Sequence, residues 1–332
     1  MQALKDRIKL HYDLASDYYL NLWGEHIHHG YWPTDESKAT ESKETAQLNL
    51  IRLLLEISQL PSQETTTTTS SSGDAAAKPL RILDVGCGIG GTTRYLASTL
   101  GATVTGITIS GKQVQIATRL SKTASAAAPA AAEGEEAQTT LGGEFIPLGP
   151  HGGKVRFIDL DAEKMGEFFT SGGGAGAEAG LFDVVWISEA LSHFPNKALF
   201  FRNACKLLRA DGKGKLVLAD WFKAEGLEKG EFEGDIKPIE DGMLLPPLCT
   251  QQEYVKLAEE AGLRVLGGPK DISKDVSKTW DISWSLVQNP SLWAFAFSQG
   301  RDGIAFLQAF RAMRRGYANG SFRYAVMSFV KP

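Results

Sequence analysis

The chain has 332 residues, 43% of them hydrophobic, enough for one large core with appendages or for two smaller units. A net charge of -4 and no basic run give no electrostatic reason to expect nucleic acid or an anionic membrane as partner. Cys87, Cys205 and Cys249 are odd in number and far apart, which argues against a disulfide framework or a cysteine metal site and fits a reducing, cytoplasmic setting. The opening MQALKDRIKLHYDL has no apolar core followed by a cleavage site, and no stretch is long enough to span a bilayer. No stable membrane insertion is expected.

An aromatic segment follows, with Tyr18, Tyr19, Trp23, Tyr31 and Trp32 around His26, His28 and His29. Adjacent histidines on an irregular segment rarely converge on one ion, and no cysteine or carboxylate stands at ligand spacing, so no metal is expected. The rings suit a hydrophobic acceptor or a cation, and equally suit packing onto a core. Three stretches, near 62–78, 121–153 and 171–180, are rich in Thr, Ser, Ala and Gly without apolar periodicity and read as mobile insertions.

Between them, strands and helices alternate as in a doubly wound α/β sheet. LRILDVG precedes a helix, ATVTGITIS precedes KQVQIATRLSK, KVRFIDLD stands alone, and LFDVVWISEA precedes KALFFRNACKLLR. KLVLADW gives a fifth strand; then come the helix QQEYVKLAEEAG, a strand near LRVLGG, a helical stretch over 282–315 and a last strand, FRYAVMSFVK. The first strand runs into Asp84 and then Gly86, Gly88 and Gly90, a turn that lets the backbone approach a ligand at a helix N-terminus. A structural turn or a dinucleotide site could use the same spacing. A dinucleotide site would place a carboxylate at the end of the second strand, where this chain has Gly106-Ile107-Thr108-Ile109-Ser110. That weakens a dehydrogenase reading.

HYDLASDYYLNLWGEHIHHGYW, ILDVGCGIGGTTRYLA, GITISGKQVQIA, Asp161-Ala162-Glu163, FDVVWISEALSHFPNK and FRYAVMSFVK, in that order and spacing, resemble the class I S-adenosylmethionine-dependent methyltransferases, in the branch with tocopherol and sterol C-24 methyltransferases. The resemblance implies a Rossmann-like seven-stranded sheet with helical lid elements. Residues 1–50 would form a lid, 51–228 the S-adenosylmethionine-binding core, and 229–332 an acceptor-site cap and the last strands. It implies that Gly86, Cys87, Gly88 and Gly90 admit the methionine part of the cofactor, with Asp84 placed for its amino group or for ordering the loop. Thr108, Ile109 and Gln113 would line ribose and adenine, Asp161 and Ala162 would meet the adenine edge, and Ser188 and Tyr12 would serve the methionine carboxylate.

On the acceptor side, Glu189 and His193 follow the fourth strand as candidate catalytic groups, and a histidine can act as general base. Cyclopropane synthases carry Glu immediately before this histidine; Ser192 stands there in this chain and argues against cyclopropanation. His28, His29, Tyr31, Trp280, Trp284 and Trp293 are the expected acceptor-binding residues. The reaction implied is methyl transfer, with S-adenosylhomocysteine as product, to an N, O or C atom of a small hydrophobic acceptor. Alkene alkylation of the sterol or cyclopropane type and a cofactor-binding module without turnover are the alternatives.

Overall fold

The computed structural model describes residues 5–7, 9, 13, 16, 17, 20, 23–61, 78–126, 143–171, 182–287 and 301–332. Its strands are β1 (Arg81–Val85), β2 (Thr103–Thr108), β3 (Ile146–Leu148), β4 (Gly153–Asp159), β5 (Val184–Ser188), β6 (Lys215–Lys223), β7 (Arg264–Asp271) and β8 (Phe322–Val330). The helices that bear on the site are α1 (Asp35–Thr40), α2 (Lys43–Ile57), α3 (Gly91–Leu100), α4 (Gly111–Ala126), α5 (Lys197–Leu207), α6 (Gln251–Glu260), α7 (Lys278–Val287) and α8 (Arg301–Asn319). Runs such as RILDV and VVWIS are apolar on both faces because helices cover both sides of the sheet. Thr34 and Thr250 start α1 and α6 as capping boxes, and Ser42 and Asn196 cap α2 and α5.

The strand order is β3-β4-β2-β1-β5-β6-β8-β7. Strands β4, β2, β1, β5 and β6 are parallel, and β8 runs antiparallel between β6 and β7. Seven strands make the expected sheet. The eighth, β3, is a short antiparallel addition on the outer edge of β4, drawn from the stretch 121–153. That stretch is therefore not one insertion throughout: α4 continues to Ala126, β3 pairs with β4, and 127–142 lie outside the described residues. Most of the other two expected insertions also lies outside them.

Two apolar layers hold the sheet. One face packs Ile82, Trp186, Val217, Ala219 and Val326 against α2, α3 and α8; the other packs Leu83, Val185, Leu218 and Phe329 against α5 and α6. Since α2 fills the first layer with Leu50, Leu53 and Leu54, a lid boundary at residue 50 falls inside a core helix. The sheet order reverses at β1, between β2 and β5, and the crevice outside the carboxyl ends there is where such sheets bind ligands.

Phe201 is fully buried, with its ring centroid 5.5 Å from Phe200, 5.7 Å from Tyr254 and 6.2 Å from Phe329. Phe201→Ala should cost about 3–5 kcal/mol in urea unfolding, whereas Ile304→Ala on the exposed face of α8 should stay within about 0.5 kcal/mol. Equal midpoints would refute this core assignment.

Candidate active site

The loop after β1 is held by its own backbone. The Gly86 and Cys87 N–H groups both donate to the Ile107 carbonyl of β2, at 2.9 and 3.0 Å, and Gly90 N–H donates to the Cys87 carbonyl. Gly86, Gly88 and Gly90 all have left-handed φ, of 73, 54 and 79°. A Cβ on Gly86 would lie 2.4 Å from the Ala190 side chain, and one on Gly90 would lie 2.6 Å from the Phe157 ring. A Cβ on Gly88 meets nothing within 4 Å, so Gly88 fronts an open cradle at the start of α3. Gly90 gives α3 no side-chain cap, which leaves its first N–H groups directed at that cradle. At the end of β5, the Ser188 Oγ is buried without a hydrogen-bond partner among the described residues. An uncapped helix N-terminus and an unpartnered hydroxyl fit the carboxylate end of an amino-acid-bearing cofactor.

Asp84 sits under this loop, buried, and accepts from Thr93 Oγ1 of α3 at 2.6 Å. Burial pushes its pKa up to about 6, against the lowering effect of that bond. Of the two roles open to it, tying the loop to α3 is the one the geometry displays. At the end of β2, Thr108 Oγ1 donates to Gln113 Oε1 at 2.6 Å, and the Gln113 N–H donates to Ser110 Oγ at 3.2 Å. Asp161 accepts from Glu163 N–H at 3.0 Å and so caps the turn that begins at Ala162.

Two residues that the sequence did not single out close over this half. Lys5 bridges Asp161 and Glu163 at 2.7 and 2.5 Å, and its ammonium is favoured by both despite burial. Buried Arg94 of α3 donates to the Ile89 carbonyl at 2.8 Å and to Glu25 at 2.9 Å, drawing residues 25 and 26 over the loop. A charged residue in the first turns after a glycine loop was the available signal for Arg94. Lys5 had none, because its partners are more than 150 residues away.

Beyond Ser188, the same sheet face carries a cluster of aromatic rings. Register places Ser188 opposite Ala219, and Trp221, two residues on, opposite Tyr324 of β8. Trp221, Tyr324 and Phe322 join Trp280 of α7 and Tyr317 of α8 in an aromatic box around His29, with Trp280 at 5.3 Å and Tyr324 at 4.7 Å between ring centroids. Glu189 has a left-handed φ of 54°, unusual for a side-chain-bearing residue. Its Oε1 accepts from the His29 N–H at 2.7 Å, from Tyr324 Oη at 2.7 Å and from His29 Nδ1 at 3.0 Å. Burial alone would raise the Glu189 pKa, but the adjacent His29, through its ring and its backbone N–H, and then His28 hold it below the ordinary carboxylate value.

The three histidines part company: His26 lies beside Gly91, His28 Nδ1 bonds the His29 carbonyl, and His29 faces Glu189. Among the described residues, no group of three or more His, Cys, Asp or Glu is placed to hold a metal ion. His193 ends a short helical turn with its ring 6.3 Å from Trp221. Tyr31 packs against the core beside α2, its N–H bonded to the Ala46 carbonyl. Trp284, one turn on from Trp280 along the same side of α7, lies beneath Arg311 and Arg314 of α8. Tyr12 and Trp293 lie outside the described residues.

The chain matches a methyltransferase domain family over residues 45–267 and belongs to that family; it is a class I S-adenosylmethionine-dependent methyltransferase. It is 28% identical to a probable chloroplastic tocopherol O-methyltransferase of Oryza sativa subsp. japonica, over 99% of this chain and 79% of the relative. The chloroplastic tocopherol O-methyltransferase of Arabidopsis thaliana is 27% identical, over 100% and 83%. The solved mycolic acid cyclopropane synthase CmaA1, complexed with SAH and CTAB, shares the fold with a TM-score of 0.69 at 18% identity, over 98% of both chains.

Two outcomes follow from the loop and its cover. Gly88→Ala should leave the thermal midpoint within a few degrees, as one left-handed alanine costs about 1–2 kcal/mol, yet weaken S-adenosylhomocysteine binding at least about tenfold by calorimetry. Unchanged affinity would move the cofactor away from this cradle. Burial, then His28 and Arg94, push the His26 pKa down to about 3 from 6.5. The folded state thus holds His26 neutral, so its contribution is complete above about pH 6.5 and drains as pH falls toward 3. His26→Gln should flatten the denaturation midpoint against pH across that window, and an undiminished slope would contradict this assignment.

Proposed function

We propose that this methyltransferase delivers its methyl group to the oxygen of a phenolic hydroxyl on a small, largely apolar metabolite. The observation that carries the reading is the aromatic box of Trp221, Trp280, Tyr317, Phe322 and Tyr324, on the same sheet face as Ser188. Aromatic walls take up a flat apolar ring and exclude water, while the tyrosine hydroxyls and indole N–H groups can meet one polar atom. Both plant relatives described as tocopherol O-methyltransferases span nearly the whole of this chain, which supports a phenol with an apolar body.

S-adenosylmethionine supplies a methyl group on a sulfonium that needs no metal to be electrophilic. In this reading Gly86, Cys87, Gly88, Ser188 and Tyr12 hold its methionine end, with Gly90 opening α3. Thr108, Ile109 and Gln113 line ribose and adenine, and Asp161 and Ala162 meet the adenine edge. The box orients the hydroxyl and keeps the encounter dry, which is the main catalytic demand of a displacement between two held reactants. His193, at the rim beside Trp221, and Glu189 belong to the acceptor end. The compartment is read as cytoplasmic from three free cysteines; the plant relatives are described as chloroplastic. Among the described residues, no helix is long and apolar enough to cross a membrane.

Incubation with labelled S-adenosylmethionine and a set of prenylated phenols, amines and alkenes, followed by mass spectrometry, should give a methyl ether of a phenol. Trp280→Ala should raise the KM for that phenol by about tenfold or more, with S-adenosylhomocysteine affinity unchanged. Methylation confined to amines or alkenes would overturn the phenol assignment.

A further inference from the structure

The groups around Glu189 form a constellation that neither the fold nor the methyl donor requires. His29 arrives from the N-terminal segment, more than 150 residues before Glu189, and is 2% exposed. Its Nδ1 is 3.0 Å from Glu189 Oε1, and the same oxygen accepts the His29 backbone N–H at 2.7 Å, so ring and main chain are fixed together. A carboxylate at Nδ1 selects the tautomer with its proton there and leaves Nε2 as the lone-pair nitrogen. Nε2 points into the aromatic box, where the Tyr317 hydroxyl stands 3.4 Å away. In the same box the buried Trp221 Nε1 has no hydrogen-bond partner among the described residues, an N–H donor available to an oxygen. The left-handed backbone of Glu189 is a local cost that the three donors to its carboxylate offset, a pattern found at functional sites.

We propose that His29 is the general base of the reaction, with Glu189 as the residue that positions it and stabilises its protonated form. The inference rests on the phenol reading above. The O–H bond of the phenol breaks as its proton passes to His29 Nε2, and the oxygen accepts from the Trp221 N–H. The electron pair of the oxygen forms the new bond to the methyl carbon while the S–CH3 pair returns to sulfur. The products are the methyl ether, neutral S-adenosylhomocysteine, and an imidazolium paired with the Glu189 carboxylate, which returns its proton to water as the site empties. The charged and titratable groups that face the His29 ring are Glu189 after β5, Tyr324 on β8, Tyr317 on α8 and His28 on its own segment, with Asp220 and Asp271 farther off. Glu189 is the carboxylate in direct contact with the ring, so the protonated form is held by it. Carboxylate, imidazole and substrate hydroxyl in line is a geometry that recurs on unrelated folds.

The test uses the full chain in three forms: wild type, His29→Gln and Glu189→Gln. With wild-type turnover of a phenol established, His29→Gln should lower kcat by about 10²–10³-fold and remove the acid limb of the kcat profile. S-adenosylhomocysteine affinity, read by calorimetry, should stay within about threefold and so report an intact fold. Glu189→Gln should shift that limb to lower pH and reduce its plateau, because the imidazolium loses its counter-charge. A second readout is independent of turnover: with S-adenosylhomocysteine bound, wild type should bind a nitrophenol with the absorption band of its phenolate, and His29→Gln should bind it as the neutral phenol. A His29→Gln enzyme with kcat within a few-fold of wild type, an unmoved acid limb, or an unchanged phenolate band would each overturn the role of His29. Wild type that binds S-adenosylhomocysteine yet methylates no phenol would instead overturn the substrate reading, and the base assignment with it.

Discussion

One oxygen atom ties the molecule together at its working end. Glu189 Oε1 takes hydrogen bonds from the N-terminal segment, through His29, and from the last strand, through Tyr324, while its backbone continues β5 into the crevice. A buried carboxylate with a single donor would carry a large desolvation cost; three donors, one of them a histidine ring, make it tolerable. The consequence is coupling. The segment that covers the site cannot move away without stranding a charge in an apolar box, so cover and sheet form one cooperative unit.

The two ends of the crevice solve opposite problems. Around the glycine loop, backbone N–H groups, a helix N-terminus and a glycine-lined opening form a lining suited to a polar ligand, and Asp84 and Arg94 tie the surrounding elements together. Farther along the same face, aromatic rings from β6, β8, α7 and α8 pack together and present few polar atoms. A displacement reaction needs both: a held electrophile, and a nucleophile stripped of water beside it. The order β1-β5-β6-β8 sets these ends side by side, since β5 borders the glycine loop and β6 and β8 carry the box.

Much of the fold, and the glycine loop with it, was legible because both are local. Each parallel strand is a short apolar run bounded by turn residues, and the glycine loop lies within ten residues of Asp84, so pattern and spacing suffice. Short β3 was missed because it is three residues long at the end of a low-complexity stretch, with no periodicity to read. Helical spacing likewise marks Trp280 and Trp284 as one stripe on α7, but it carries no sign of the two α8 arginines that stack on Trp284.

The sequence by itself determined the doubly wound sheet and the glycine loop after its first strand, since each rests on residues close together in the chain, and its motifs taken together carry the resemblance to a family whose methyl donor is S-adenosylmethionine. Tertiary structure alone decided that His29 rather than its neighbours meets Glu189, that Lys5 closes on Asp161, and that rings from four distant elements make one box. The first two of these contacts join residues 160 and 156 positions apart, and no local pattern encodes them. They follow from strand order and register, which bring side chains of unrelated segments to the same face of the same sheet.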